Sequence, residues 1–286
     1  MRTEISRDAD AGLCDVIVIG AMKAGTTTLF DMLARHPEIG VSREKETDFF
    51  LGHRVWQRGL SWYADQFPRD RRVRVEASPN YTKREAFPGV PERVRELLPH
   101  CRFVFLARDP VKRALSQYTH LALQAPDTPP PDKLIGSETL RHMVDVSSYA
   151  RQMKPWLEAF PKERFLFVEF EDYVQDSAPT LRRVARHIGV SETWGFDSVA
   201  QSNSREMVAK LPGWYFRVRD GSVGRVAKGM LSPQARSRVK EMLSFGAERR
   251  VSPVGREVRE ILIEQLAEDA RRFRALSGLQ GASWTV

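Results

Sequence analysis

Four consecutive β-branched residues, Val16, Ile17, Val18 and Ile19, close on Gly20, and a strand is predicted over 15–19. The loop GAMKAGTT follows, and the segment 26–35 then sets Leu29, Met32 and Leu33 on one helical face. Further strand-like runs cover 72–76, ending before Ser78-Pro79, and 102–107, ending at Arg108-Asp109-Pro110. Pro110 suits the first turn of a helix that runs on through Leu123. Residues 124–137 hold four prolines and few large apolar groups, which reads as an exposed loop or lid. Beyond it the pattern predicts a helix over 149–160, a strand over 164–170 and a helix over 179–188. The stretch 202–232 is irregular, and helices over 233–243 and 256–276 close the chain, the last with Ile261, Leu262 and Leu266 as its apolar stripe. Strands alternating with helices predict an α/β fold with a central, mainly parallel sheet flanked by helices.

Composition narrows the partners. The 286 residues read as a single domain, 1–286, with 1–12 as a flexible leader. A formal charge of +8, from arginines spread along the chain, favours an anionic ligand without choosing among nucleotide, glycan, nucleic acid and membrane surface. Cys14 and Cys101 each precede an apolar run and are expected as buried, reduced thiols, which favours a reducing compartment. The apolar runs are too short to span a bilayer, and the charged first residues hold no apolar signal segment, so the expected location is cytoplasmic.

Two stretches carry candidate chemistry. A strand that feeds a glycine loop opening a helix gathers backbone N–H groups around one point, and such a point attracts phosphate. In GAMKAGTTT, Gly20 and Gly25 permit close approach, Lys23 brings positive charge, and Thr26, Thr27 and Thr28 offer hydroxyls. The Walker A pattern GxxxxGK[ST] is met only in part, because Thr26 follows Gly25 and the lysine lies two residues before it. A tight turn with a solvated lysine is the plainer alternative. In LARDPVKRALSQY, Arg108 leaves the end of a strand while Lys112, Arg113 and Ser116 are expected on one face near the start of the next helix. Taken alone, this is equally a helix cap with a local ion pair. Taken together, the two stretches fit a ligand with phosphate at both ends of an adenosine.

The sequence resembles the superfamily of sulfotransferases that use 3′-phosphoadenosine 5′-phosphosulfate (PAPS), most of all its bacterial and heparan-sulfate-type carbohydrate branches. The resemblance rests on VIVIGAMKAGTTTLFDMLARHPEIG, SREKETDFF, VEASPNY and FVFLARDPVKRALSQY, with weaker similarity running to the C-terminal LAEDARRFRALSGLQGASW. It implies a P-loop-like nucleotide-binding fold and transfer of the sulfuryl group of PAPS to a hydroxyl or amine of a glycan, glycolipid or small metabolite. Lys23 then contacts the phosphosulfate and its bridging oxygen, and Ala24, Gly25, Thr26, Thr27 and Thr28 surround the 5′-phosphate. Arg108 and Ser116 hold the 3′-phosphate, Lys228 and Gly229 belong to a loop covering the nucleotide, and Glu46 is the base. No metal and no nucleic-acid partner is implied.

Two positions depart from the family pattern: Asp48 stands where a histidine is usual, and Ala77 where the glycan enzymes have a lysine, which argues against a heparan-like acceptor. Other assignments stay open. Glu46 could simply pair with Lys45 or Arg43, and Glu44 and Glu76 are competing bases. His36 reads as a helix-terminal residue, and Trp214 and Tyr215 as core or as an adenine platform. The alternative activity is a P-loop kinase using Mg-ATP, which the displaced lysine and the RDPxxRxxSxY segment oppose.

Overall fold

The computed structural model describes residues 12–125, 127–194 and 251–286. Five strands, β1 (Val16–Gly20), β2 (Ile39–Val41), β3 (Val73–Ala77), β4 (Arg102–Ala107) and β5 (Phe165–Glu169), form one sheet in the order β2-β3-β1-β4-β5. Every pair in it is parallel. Parallel neighbours need long crossovers, and these are helical: α1 (Thr26–Leu33) joins β1 to β2, and α4 (Val90–Leu97) lies between β3 and β4. After β4 the chain makes α5 (Pro110–Gln124), α6 (Glu138–Ser147) and α7 (Tyr149–Ala159) before β5, and after it α8 (Phe170–Gln175) and α9 (Ser177–Ile188). The short α2 (His53–Trp56) and α3 (Gly59–Ala64) lie between β2 and β3, and α10 (Arg256–Ser277) comes last among the described helices.

Burial explains why the inner strands are uniformly apolar. Ile17, Val18 and Ile19 of β1 and Phe103, Val104 and Leu106 of β4 are fully buried, because helices cover both faces. Each such side chain contributes roughly 1.5–3 kcal/mol of burial free energy. The β1–β4 register shifts between Val18 and Gly20, and a Cβ on Gly20 would fall 2.7 Å from the Phe105 ring, so only glycine lets the strand turn out here. A second apolar cluster, with Tyr118, Leu134, Leu140, Met143, Leu262 and Leu266, locks α5, α6 and α10 together.

The topology fixes where a ligand can sit. From β1 the chain moves to one side of the sheet, to β2 and β3, and then crosses β1 to reach β4. The chain therefore leaves β1 and β4 toward opposite sides of the sheet, opening a crevice at the carboxyl ends of those strands.

Several elements differ from the sequence expectation. β2, with three residues, is too short to show a period, and α2, α3, α4 and α6 fall in stretches where the pattern predicts no element. β5 ends at Glu169, so Phe170 opens α8 rather than closing a strand. In the proline-rich stretch, Pro131–Lys133 forms a 3₁₀ turn, the Tyr118 hydroxyl donates to the Pro129 carbonyl at 2.9 Å, and Leu134 is fully buried. Both cysteines are buried and unbridged. The segment 233–243 lies outside the described residues, and among those described no helix is long and apolar enough to cross a membrane.

Candidate active site

The first loop is built as its glycines require. Gly25 is the N-cap of α1 at φ +84°, and a Cβ there would lie 2.9 Å from the Phe170 ring. No side chain caps the helix, so the first-turn N–H groups of Thr26, Thr27 and Thr28 face the crevice end without an intrahelical partner. That is the arrangement that holds an anion. Lys23 sits within the loop at φ +69°. Ala24 is wholly buried and Thr26 nearly so, which leaves Thr27 and Thr28 as the more open hydroxyls.

The second loop comes to the same place. The Arg108 guanidinium donates from Nη1 to the Lys23 carbonyl at 3.1 Å and stacks 4.9 Å from the centroid of Phe170. Tyr149 donates to the Arg108 carbonyl at 2.9 Å and so fixes the backbone behind it. Asp109 is the cap: its Oδ1 accepts from Val111 N at 2.9 Å and Lys112 N at 3.1 Å, and its Oδ2 accepts from Thr285 N at 2.8 Å. Cap and arginine thus do separate jobs in one tripeptide. Ser116 is 9% exposed, and its Oγ is buried with no hydrogen-bond partner among the described residues. An orphaned buried hydroxyl costs stability until something bonds to it.

The expected face of Lys112, Arg113 and Ser116 is corrected. Lys112 turns outward to Asp109, 3.4 Å away, and to the Ser283 carbonyl. Arg113 is fully buried against α6, donating to Ser147 Oγ at 2.9 Å, Gln117 Oε1 at 2.6 Å and the Met143 carbonyl at 3.1 Å, and burial pulls its guanidinium down to about 10. Adjacent helical residues point about 100° apart, so the pair could not share one face.

On the other side of β1 lies the loop with the candidate base. Glu46 is an exposed residue at φ +64°, anchored by its N–H to the Ala77 carbonyl at 3.1 Å and paired with Lys45 at 3.1 Å. The pairing alternative is therefore present, on a carboxylate that remains open to solvent. Asp48, at φ +52°, accepts from Asn80 Nδ2 at both oxygens, 3.2 and 3.1 Å. Desolvation first, then the Glu46 charge, push its carboxyl up to about 7, against the pull of Asn80 and Lys83. Burial and the Arg113 charge hold the Lys83 ammonium below its usual value.

Glu76, the competing base, is closed in by its neighbours. It is fully buried, and four hydroxyls close on it: Thr47 at 2.5 Å, Ser78 at 2.7 Å and Tyr81 at 2.7 Å on Oε1, and Tyr63 at 2.5 Å on Oε2. Through Thr47 this cage pins the chain between Glu46 and Asp48. Glu44 is exposed, with its carbonyl accepting from Ser42 Oγ. His36 is buried between the Ser191 carbonyl, at 3.0 Å, and the Glu38 N–H, at 3.1 Å, which ties the end of α1 to the chain after α9. Lys228, Gly229, Trp214 and Tyr215 lie outside the described residues.

Sequence reasoning missed Phe170, Tyr173 and Asn80. Tyr173 packs near Gly25, its hydroxyl has no partner among the described residues, and burial pushes its phenol up to about 12. The FEDYV segment after β5 held a signal only in its aromatic spacing, which a core helix shares.

Comparison with known proteins agrees with this geometry. Residues 13–210 match the family model described as a sulfotransferase domain. Heparan sulfate glucosamine 3-O-sulfotransferase 3A1 from Mus musculus is 34% identical over 188 residues, covering 62% of this chain and 46% of that protein. Heparan sulfate glucosamine 3-O-sulfotransferase 6 from Homo sapiens is 32% identical over 183 residues, covering 61% of this chain and 52% of that protein. The chain thus spans about half the length of the curated relatives it matches. A sulfotransferase crystal structure from Alicyclobacillus acidocaldarius shares the fold, with a TM-score of 0.67 at 22% identity and coverage of 96% of this chain and 99% of that one. With residues 13–210, more than half of the chain, matching the family model, and a parallel sheet whose β1 and β4 loops meet at one crevice, the chain belongs to the sulfotransferase domain family.

Proposed function

We propose that the chain transfers the sulfuryl group of PAPS to a hydroxyl of a carbohydrate-type acceptor. The observation that carries this is the hydrogen bond from Arg108 to the Lys23 carbonyl, which sets the two anion loops side by side at one sheet edge. The uncapped start of α1 and the orphaned Ser116 hydroxyl fit a nucleotide with phosphate at each end. The resemblance to enzymes named for 3-O-sulfation of glucosamine supports a sugar hydroxyl as acceptor. Ala77, where the resemblance to glycan enzymes implies a lysine, supports an acceptor surface that departs from the family pattern.

PAPS, when bound, supplies an activated sulfuryl group with 3′-phosphoadenosine 5′-phosphate as leaving group. Lys23 and the N-terminus of α1 then lower the cost of negative charge on the leaving oxygen. Arg108 and Ser116 hold the 3′-phosphate, and Thr27 and Thr28 donate to the 5′ end. Glu46, open to solvent across β1, takes the acceptor proton as sulfur is attacked in line. Positioning and charge carry most of the work, as in phosphoryl transfer. Positive charge comes from Lys23, Arg108 and the helix end, so the scheme calls on no metal.

Calorimetry with 3′-phosphoadenosine 5′-phosphate, and with ATP in the presence and absence of Mg²⁺, tests the donor. Tight, Mg²⁺-independent binding of the bisphosphate is expected, and a preference for Mg-ATP overturns the proposal in favour of a kinase. Transfer from ³⁵S-labelled PAPS to a panel of sugar, lipid, phenol and amine acceptors then tests the acceptor class.

A further inference from the structure

We propose that Phe170 is the spacer between the two phosphate pockets, and that its ring sets how far the site prefers an adenosine phosphorylated at both ends over one phosphorylated only at 5′. This rests on the proposed PAPS-type donor.

Two contacts meet at this ring, and a third ties them together. On one side it lies so close to the first loop that a Cβ on Gly25 would fall 2.9 Å and 3.1 Å from its carbons. On the other, the Arg108 guanidinium stacks at 4.9 Å from the centroid. The same guanidinium donates to the Lys23 carbonyl at 3.1 Å, which closes a triangle of loop, ring and cation. Phe170 stands directly after β5, at the carboxyl edge from which β1 and β4 send their loops, and it is half-buried.

The physical consequence differs for the two ends of the nucleotide. Arginine has many rotamers, and one held between a carbonyl and an aromatic face has already lost much of that freedom before the 3′-phosphate arrives. Without the ring, one of these restraints is gone, and part of the cost of ordering the guanidinium moves into the binding step. A ligand with a 5′-phosphate alone does not use Arg108, so it should feel only the loosened packing beside Gly25. Phe170 is thus a positioning residue for the 3′ end, acting through Arg108.

The test is calorimetry of wild type, Phe170→Ala, Phe170→Leu and Arg108→Ala with 3′-phosphoadenosine 5′-phosphate and with adenosine 5′-monophosphate, thermal melts serving as the folding control. Phe170→Ala should weaken the bisphosphate about tenfold and the monophosphate by less than about threefold, the scale expected for losing one cation–ring contact and its pre-ordering. Phe170→Leu, which keeps apolar bulk beside Gly25, should restore monophosphate binding while the preference stays reduced. In the Arg108→Ala background, adding Phe170→Ala should leave the remaining preference unchanged. Equal losses for both ligands, or an unchanged preference in Phe170→Ala, overturn the spacer role. Failure of the wild type to prefer the bisphosphate brings down the proposed donor itself, a result visible without any Phe170 variant.

Discussion

At the scale of single residues, Asp48 shows how burial rewrites a carboxyl group. Its neighbours are Glu46 and Glu76, which raise its proton affinity, and Asn80 and Lys83, which lower it, with desolvation outweighing all of them. Because its folded pKa, about 7, lies above the 3.8 usual for an aspartate, the native state binds this proton more tightly than the unfolded chain. Stability from this group is therefore full at low pH and is lost as pH rises through about 7, the reverse of an ion-paired aspartate. Asp48→Asn should abolish that part of the decline, and thermal melts of both proteins from pH 5 to pH 8 check it, with about 2–4 °C expected per kcal/mol in a domain of this size. Glu46→Gln makes a separate claim. It should leave affinity for 3′-phosphoadenosine 5′-phosphate within about twofold and cut turnover by the 10²–10⁴-fold typical of general-base loss. Activity within a few-fold of wild type would remove Glu46 from the mechanism.

At the scale of elements, the turn from β1 into α1 depends on a conformation that only glycine adopts at little cost. Gly25→Ala must hold φ near +84° with a methyl 2.9 Å from the Phe170 ring. The left-handed backbone alone costs roughly 1–2 kcal/mol. Loss of thermal stability together with at least tenfold weaker nucleotide binding is expected, read by calorimetry in both heating and titration modes. β1, β4 and α5 were legible in the sequence because a strand buried on both faces is a continuous apolar run and because Asp109-Pro110 is a strong helix start. β2 was not, since Ile39–Val41 is a strand only by virtue of pairing with β3, a partner more than thirty residues on. The same limit hid the base loop's surroundings: the cage on Glu76 gathers Thr47, Tyr63, Ser78 and Tyr81 from separate segments. Lys23 and Arg108 could be named from motif alone, whereas the ring between them needed the fold.

At the scale of the whole molecule, the last residues return to the ligand edge. Gly281 donates to Glu169 at 3.1 Å, Trp284 to Glu171 at 3.3 Å, and Thr285 to Asp109 through both its N–H and its hydroxyl, at 2.8 and 2.5 Å. This tail braces the ends of β4 and β5 and the caps that follow them. Thr285→Val, which removes the hydroxyl arm while keeping the shape, should lower the melting temperature and weaken nucleotide binding a few-fold through Asp109 and its neighbour Arg108. Unchanged affinity in that variant would confine the tail to a purely structural part.

The strand order carries a broader consequence. Groups proposed to hold the donor follow β1, β4 and β5, while Glu46, the proposed base, lies on the β2–β3 flank, with β1 as the seam. If the proposed roles hold, the two substrates meet opposite wings of a single sheet. Under that division, rebuilding the β2–β3 wing would change the acceptor while the nucleotide-holding loops stayed anchored on the other.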